Sequence, residues 1–467
     1  MIFQPQNLIL TEGSYLLPKT VDATAHSSLC KAIFSELWHN FAYQSSTLTL
    51  READGFCFAI GNAKKLTTDG FSYAINIERE GICISADSRQ SLIHGMMTLL
   101  DRIHPTEIDG ALRASVECAV IRERAVIPVR MAHYCIFAKT PLWELRRFLR
   151  ACAALKYTHV ILEFWGSLHY DCMRELAWQQ AYNKEEIRPI IEEAHDLGLE
   201  VIPMFNHWGH ATGDSVNGGK HVVLDQNPAL QSYFSEDGWC WDIKKPKVRA
   251  LLRSIRRELT ELCGEGDYFH IGCDEAYNFP LTAESAVEIC EIINDINREV
   301  RQEGRRTIAW GDMFLYRHEH YNKPRNYACH APSAEIERLM LSHLDRDVIV
   351  ADWQYEIEQA PVESVPVVKE AGFDCLLCSW DRGIPQMNAV ISTVKDLQIM
   401  GYIHTTWNSL AQGGYAYLML AAIGGFEPRV DRYKRSAMQT CTAALLRKLM
   451  PAQGDFQRAG WRDLQAH

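Results

Sequence analysis

Residues 140–165 read "TPLWELRRFLRACAALKYTHVILEFW". The stretch to Lys156 is amphipathic at helical spacing, and Thr158–Trp165 is a short apolar run of strand type. A helix that leads directly into a buried strand is half of a parallel βαβ unit. The same alternation recurs from about residue 127. Further strand-like runs are "PVRMAHYC" (128–135), "LEVIPMFN" (199–206), "DYFHIGCD" (267–274), "RTIAWGD" (306–312), "DVIVADW" (347–353), "DCLLCSW" (374–380) and "GYIHTTW" (401–407). Amphipathic segments such as "NKEEIRPIIEEAHDLG" (183–198) and "KPKVRALLRSIRRELTELCG" (245–264) separate them. With Thr158–Trp165 there are eight strands, and eight close a barrel of TIM type.

Residues ahead of the barrel follow a different rhythm. "FSYAINIEREGICISAD" (71–87) alternates apolar and polar residues about Glu78–Gly81, a hairpin signal. "SRQSLIHGMMTLLDRI" (88–103) follows at helical spacing, with Ser88 as N-cap. The expected organisation is a small α/β domain at 1–115, a (β/α)8 barrel at 116–425, and a C-terminal helical extension at 426–467 packed on the barrel.

The 467 residues carry a net charge of −11 and an apolar fraction of 47%. A surface of that sign argues against nucleic acid or an anionic membrane as partner. No run approaches the ~20 apolar residues of a membrane span. The N-terminus lacks a basic region and its apolar run is too short for a signal peptide. The fifteen cysteines show no pairing rhythm and are expected to be reduced core residues of a cytoplasmic protein. Cys375 and Cys378 form a C-x-x-C inside a strand and read as core. The oligomeric state is not legible, and a homodimer is compatible with the sequence.

Sites on such barrels sit at the C-terminal ends of the strands. The residues ending these runs are Arg130 and His133, Glu163 and Trp165, Asn206, His207 and His210, Asp274 and Glu275, Trp310 and Asp312, Asp352, Trp353 and Tyr355, Trp380 and Asp381, and Trp407 and Asn408. A mouth of carboxylates and indoles suits a sugar, whose apolar face stacks while its hydroxyls need paired partners. One tryptophan alone would be core filling. Trp310, Trp353, Trp380 and Trp407 at successive strand ends shift the balance toward a pocket. Asp352 and Asp381 fit helix capping equally well. His207 and His210 could be read as metal ligands, but the first strand offers His133 without an H-x-H, so no metal or cofactor is expected.

"HIGCDEAY" (270–277) resembles the His-x-Gly-x-Asp-Glu signature of family 20 glycoside hydrolases, the β-N-acetylhexosaminidases. "VIPMFNHWGHA" (201–211) and "IAWGDMF" (308–314) are similar to that family's third- and fifth-strand motifs, and "LEFW" (162–165) to its hexosaminidase D-like branch. The resemblance implies a retaining exo-enzyme acting on terminal β-linked GlcNAc or GalNAc in glycans or glycosides, by way of an oxazolinium intermediate. It implies Glu275 as general acid/base and Asp274 as the carboxylate orienting the acetamide. Arg130 would bind sugar hydroxyls, and His210 and Glu163 would form a relay behind Glu275. Trp310, Trp353 and Trp407 would enclose the N-acetyl group, with Tyr355 bonding its oxygen and Asp312 and Trp380 in the substrate pocket. Cys273 replaces a more usual Gly, Glu163 a more usual Asp, and Asn408 a sugar-binding Glu. The residues alone leave two other readings open: an ordinary two-carboxylate glycosidase with Asp312 or Asp381 as second acid, and a non-catalytic sugar-binding barrel.

Overall fold

The computed structural model describes residues 5–451 apart from 138–139, 213–222, 322–325, 408–409, 411–413 and 428. The small N-terminal domain contains strands β1 (Asn7–Leu16), β2 (Thr20–His26), β3 (Thr47–Ala53), β4 (Cys57–Gly61), β5 (Tyr73–Glu78), β6 (Gly81–Ala86), β7 (His104–Ile108) and β8 (Ala111–Glu123). They form one sheet in the order β1-β8-β5-β6-β4-β2-β3, with β7 paired to β8. The expected hairpin is present, with Glu78 opposite Gly81. Helices α1 (Lys31–Phe41) and α2 (Arg89–Arg102) pack on this sheet.

Ser88 caps α2 by accepting the Ser91 N–H, as its position before the apolar run requires. This helix joins the two domains. Arg89 donates to the carbonyls of His195 (2.9 Å) and Asp196 (3.2 Å), and Gln90 to that of Gly198 (3.0 Å). The domain extends past the expected boundary at 115, because β8 continues to Glu123 while pairing with β1 and β5. At its end the buried Glu123 carboxylate accepts from Lys156 and from the Tyr73 hydroxyl. A carboxylate so far from solvent needs such partners, and here they tie the sheet to the barrel.

The barrel strands are β9 (Val129–Cys135), β10 (His159–Glu163), β11 (Glu200–Met204), β12 (Tyr268–His270), β13 (Arg306–Trp310), β14 (Ile349–Asp352), β15 (Cys375–Ser379) and β16 (Gly401–His404). All pair in parallel and β16 returns to β9, closing an eight-stranded barrel among the described residues. Around and between them run α3 (Leu142–Ala154), α4 (Lys184–Asp196), α5 (Val223–Gln226), α6 (Pro246–Cys263), α7 (Ala283–Gln302), α8 (Ala334–His343), α9 (Ser364–Glu370), α10 (Ile384–Asp396) and α11 (Gly414–Gly424). The two-residue period of a strand sorts its side chains. Met131, Ile161, Ile202, Ile308, Ile349, Leu376 and Ile403 fill the lumen, while their sequence neighbours meet the helices.

Cys378 belongs to the lumen and Cys375 to the outer layer, so the C-x-x-C is two packing residues on opposite faces. All fifteen cysteines are free thiols. No described helix is long and apolar enough to cross a membrane. The final helix, α12 (Arg435–Leu449), packs on α1, α3 and α11, and Arg150 of α3 donates to the Leu449 carbonyl at 2.7 Å. Residues 452–467 of the expected extension lie outside the described residues.

Candidate active site

The strand β12 stops at His270 because the chain turns sharply after Ile271. Gly272 (φ +66°), Cys273 (φ +76°) and Glu275 (φ +48°) all adopt left-handed backbone. Only glycine fits at 272, since a Cβ there would lie 1.5 Å from Asn206 Oδ1. Gly209 is required in the same way, because its Cβ would meet the Asp274 carbonyl at 1.8 Å. The loops after β11 and β12 are therefore pressed together, and this places His210 (φ +55°) against the two acids. Its Nε2 lies 2.7 Å from Glu275 Oε2 and 3.5 Å from Asp274 Oδ2. Left-handed non-glycine residues cost on the order of 1–3 kcal/mol each and cluster where a geometry is over-determined.

Glu275 is held at three points. Its N–H donates to Asp312 Oδ2 (2.9 Å), its carbonyl accepts the Trp239 indole N–H (2.6 Å), and its carboxylate meets His210. Burial pushes the Glu275 carboxyl up. The hydrogen bond and charge of His210, with a hydrogen bond from the Tyr277 hydroxyl, outweigh that and leave it below the ordinary value. Asp312 is fully buried, and its second oxygen accepts the Trp353 indole N–H at 3.0 Å. Burial pushes its carboxyl well up, against these two hydrogen bonds.

An aromatic wall continues from Trp353. Its ring lies 5.4 Å from Tyr355, which packs edge-on to Trp380 at 5.4 Å. The Tyr355 oxygen accepts from the Trp407 indole (2.9 Å) and the Thr405 hydroxyl (3.0 Å). Burial pushes this phenol well up, so it stays protonated and its own hydrogen remains to donate. Trp353, Trp380 and Trp407 are partly exposed, whereas Trp310 is fully buried. Trp310 is floor rather than wall, lying 4.3 Å from the His270 ring and 5.7 Å from Trp407.

Strand alternation corrects the expected role of Arg130 and decides the open reading of Asp352. Met131 points into the lumen, so Arg130 points outward at the opposite end of the barrel. Its guanidinium is spent on the carbonyls of Ile127, Pro128 and Lys156 and lies over the Phe426 ring, so it does not reach a sugar at the mouth. Ala351 likewise faces inward, so Asp352 turns outward to Ser364 (2.6 Å), with Gln354 at 2.7 Å. Glu163 faces the lumen, and its described hydrogen bonds run to Cys135 Sγ (2.8 Å), Asn206 Nδ2 (3.1 Å) and His133 Nε2 (3.3 Å). His207 is buried with Nδ1 donating to the Phe205 carbonyl at 2.7 Å, so it does not pair with His210 around an ion. Asp381 is exposed beyond β15, and Asn408 lies outside the described residues.

Sequence reading missed Trp239, His330 and the His133–Cys135–Glu163 cluster. His330 packs edge-on to Tyr277 at 4.9 Å and lies 3.7 Å from Asp312. Trp239 and His330 come from loops outside the strand rhythm, so nothing in the periodicity marks them. The cluster was legible in principle, since His133 and Cys135 are two apart on one strand and Cys135 stands in register with Glu163.

Comparison with known proteins addresses the same residues. The sequence model described as "Glycosyl hydrolase family 20, catalytic domain" matches residues 158–381, which includes Asp274, Glu275, His210 and Asp312. Residues 158–381 are thus similar to the catalytic domain of glycoside hydrolase family 20. Among curated relatives, a lacto-N-biosidase of Bifidobacterium bifidum is 23% identical over 188 residues, 36% of this chain and 16% of that protein. A β-hexosaminidase of Porphyromonas gingivalis is 21% identical over 319 residues, 56% of this chain and 38% of that protein. The chain thus spans less than half the length of the curated relatives it matches. The solved family 20 β-N-acetylhexosaminidase of Streptomyces coelicolor A3(2) shares the fold, with a TM-score of 0.67 at 15% identity, over 96% of this chain and 95% of that one.

The lowered carboxyl of Glu275 gives the pH profile a direction. If Glu275 is the acid, kcat/KM falls on the alkaline side as the free enzyme loses that proton. His210→Phe removes the largest influence that favours the carboxylate and leaves the burial. The alkaline limb is therefore expected to move to higher pH, alongside a lower maximum. A limb that stays in place or moves down would contradict the assignment.

Proposed function

We propose that this protein is a retaining exo-β-N-acetylhexosaminidase that uses the substrate's own acetamide as nucleophile. The observation that carries this reading is that two adjacent acids, Asp274 and Glu275, share one partner, His210, on one side of the pocket. Acids that flank a scissile bond stand roughly 5–9.5 Å apart on opposite faces of the sugar, and neighbouring residues do not reach that arrangement. The other acids among the described residues at these strand ends are committed elsewhere. Asp312 uses one oxygen on the Glu275 backbone and the other on Trp353. Asp352 faces the outer layer, and Asp381 is exposed.

A 2-acetamido oxygen attacking the anomeric carbon removes the need for a flanking carboxylate. Glu275 then gives its proton to the leaving oxygen, and His210 beside it supports the carboxylate that results. The released glycosidic electron pair stays on the leaving group while the acetamide oxygen closes the five-membered ring. Asp274 accepts the acetamide N–H and stabilises the positive charge spreading over it. The Tyr355 hydrogen donates to the acetamide oxygen, and the partly exposed indoles of Trp353 and Trp407 exclude water from the ring being formed. Water activated by Glu275 then opens the intermediate with net retention.

The names of the relatives support an N-acetylhexosaminide as the substrate class. The test is turnover of an aryl 2-acetamido-2-deoxy-β-glycoside against its matched 2-hydroxy analogue. Turnover of the first and almost none of the second is expected. Comparable rates on both would remove the acetamide from the mechanism, and binding without turnover of either would make the barrel a sugar-binding module.

A further inference from the structure

The lumen end of β9 and β10 holds a group of side chains that the proposed hydrolysis does not use. His133, Cys135 and Glu163 are all fully buried, and one ligand atom from each falls within 4.8 Å of the others. His133 Nε2 is 3.3 Å from Glu163 Oε2, Cys135 Sγ is 2.8 Å from the same oxygen, and Sγ and Nε2 are 3.9 Å apart. Strand geometry fixes the set: His133 and Cys135 point the same way two residues apart, and Glu163 sits opposite Cys135 on the next strand.

We propose that His133, Cys135 and Glu163 form a binding site for a divalent cation of zinc type. An imidazole, a thiolate and a carboxylate are together the donor set that zinc selects, at about 2.0–2.3 Å from the ion. Tetrahedral placement at those lengths separates ligand atoms by about 3.3–3.6 Å. The imidazole–carboxylate separation already falls there. The sulfur needs to move about 0.5–0.8 Å away from the Glu163 oxygen, and about 0.3–0.6 Å toward His133 Nε2, as its proton leaves. Outer groups that orient ligands are also present. The Asn206 amide donates to the other oxygen of Glu163 at 3.1 Å, and the His133 ring is packed 4.5 Å from Trp407 and edge-on to Trp310 at 6.2 Å. Three protein ligands leave the fourth position to a water or to a substrate oxygen. Without the ion the Cys135 thiol donates to Glu163, and binding would release that proton.

The test is metal binding to the whole chain, independent of activity. Protein stripped with a chelator is titrated with Co²⁺ alone, then with Zn²⁺ as competitor, and bound metal is counted after dialysis. One ion per chain is expected, with a thiolate-to-cobalt charge-transfer band that Zn²⁺ abolishes. Cys135→Ser should lose the band and His133→Gln the stoichiometric binding, each with circular dichroism unchanged. Asn206→Ala should bind about 10–100-fold more weakly. Absence of stoichiometric binding in the wild-type protein overturns the proposal. So does a cobalt band that survives both Cys135→Ser and His133→Gln, because the ion would then be held elsewhere. If Cys135→Ser does not fold, His133→Gln and the wild-type titration decide the question.

Discussion

Glu275→Gln is expected to lose about 10²–10⁴-fold in kcat/KM on an alkyl β-N-acetylhexosaminide, the usual worth of a positioned general acid. The amide keeps the shape and the approach to His210 but has no acidic proton to give. The leaving group decides how much of this is felt. An alkoxide cannot depart without a proton, whereas the phenolate of a strongly acidic phenol can. The first step on such an aryl glycoside should therefore be nearly unaffected, and a burst of phenol should precede a slow second step that still needs a base. Steady-state and pre-steady-state rates on the two substrates check this. Equal losses in the first step on both would remove Glu275 from the acid role. A structural loss is separable, because the backbone of Glu275 is held by Asp312 and Trp239 whatever its side chain.

Asp274→Asn should cost about 10²–10³-fold in kcat, comparable to deleting one preorganised group that faces developing charge. Asp274 is buried and lies 3.5 Å from His210, in surroundings where a carboxylate's attraction for a cation is little screened. The substituted amide accepts the acetamide N–H but carries no charge to set against the oxazolinium. The pattern across substrates differs from that of Glu275. Ring closure accompanies departure of every leaving group, so the loss should persist on the acidic aryl glycoside. A loss confined to poor leaving groups would instead make Asp274 a partner of the proton donor.

How much of this was legible in the sequence depends on the layer. The barrel could be read because each strand is a short apolar run bounded by an amphipathic helix, and that alternation is a local property. Asp274 and Glu275 were legible because a buried strand and Gly272 lead directly into them. Arg130 was misplaced because it lies in the first half of its run, where alternation turns it away from the lumen. Trp310 was read as wall and is floor, since residue order along a strand does not reveal depth. The grip of Trp239 on the Glu275 carbonyl joins residues 36 apart through an irregular loop, and no periodicity carries that information. The small domain was cut short at 115 because Ala111–Glu123 was divided between two rhythms, whereas its pairing with β1 and β5 makes it one strand.

The central claim is that the nucleophile belongs to the substrate. Its most direct test is kcat/KM on aryl glycosides in which N-acetyl is replaced by mono-, di- and trifluoroacetyl. Each fluorine withdraws electrons from the amide oxygen and weakens it as a nucleophile without altering the enzyme. A steep, progressive fall in kcat/KM along the series is the predicted result. A flat series, together with good turnover of the plain glucoside, would show that a carboxylate of the enzyme attacks the anomeric carbon and would contradict the account.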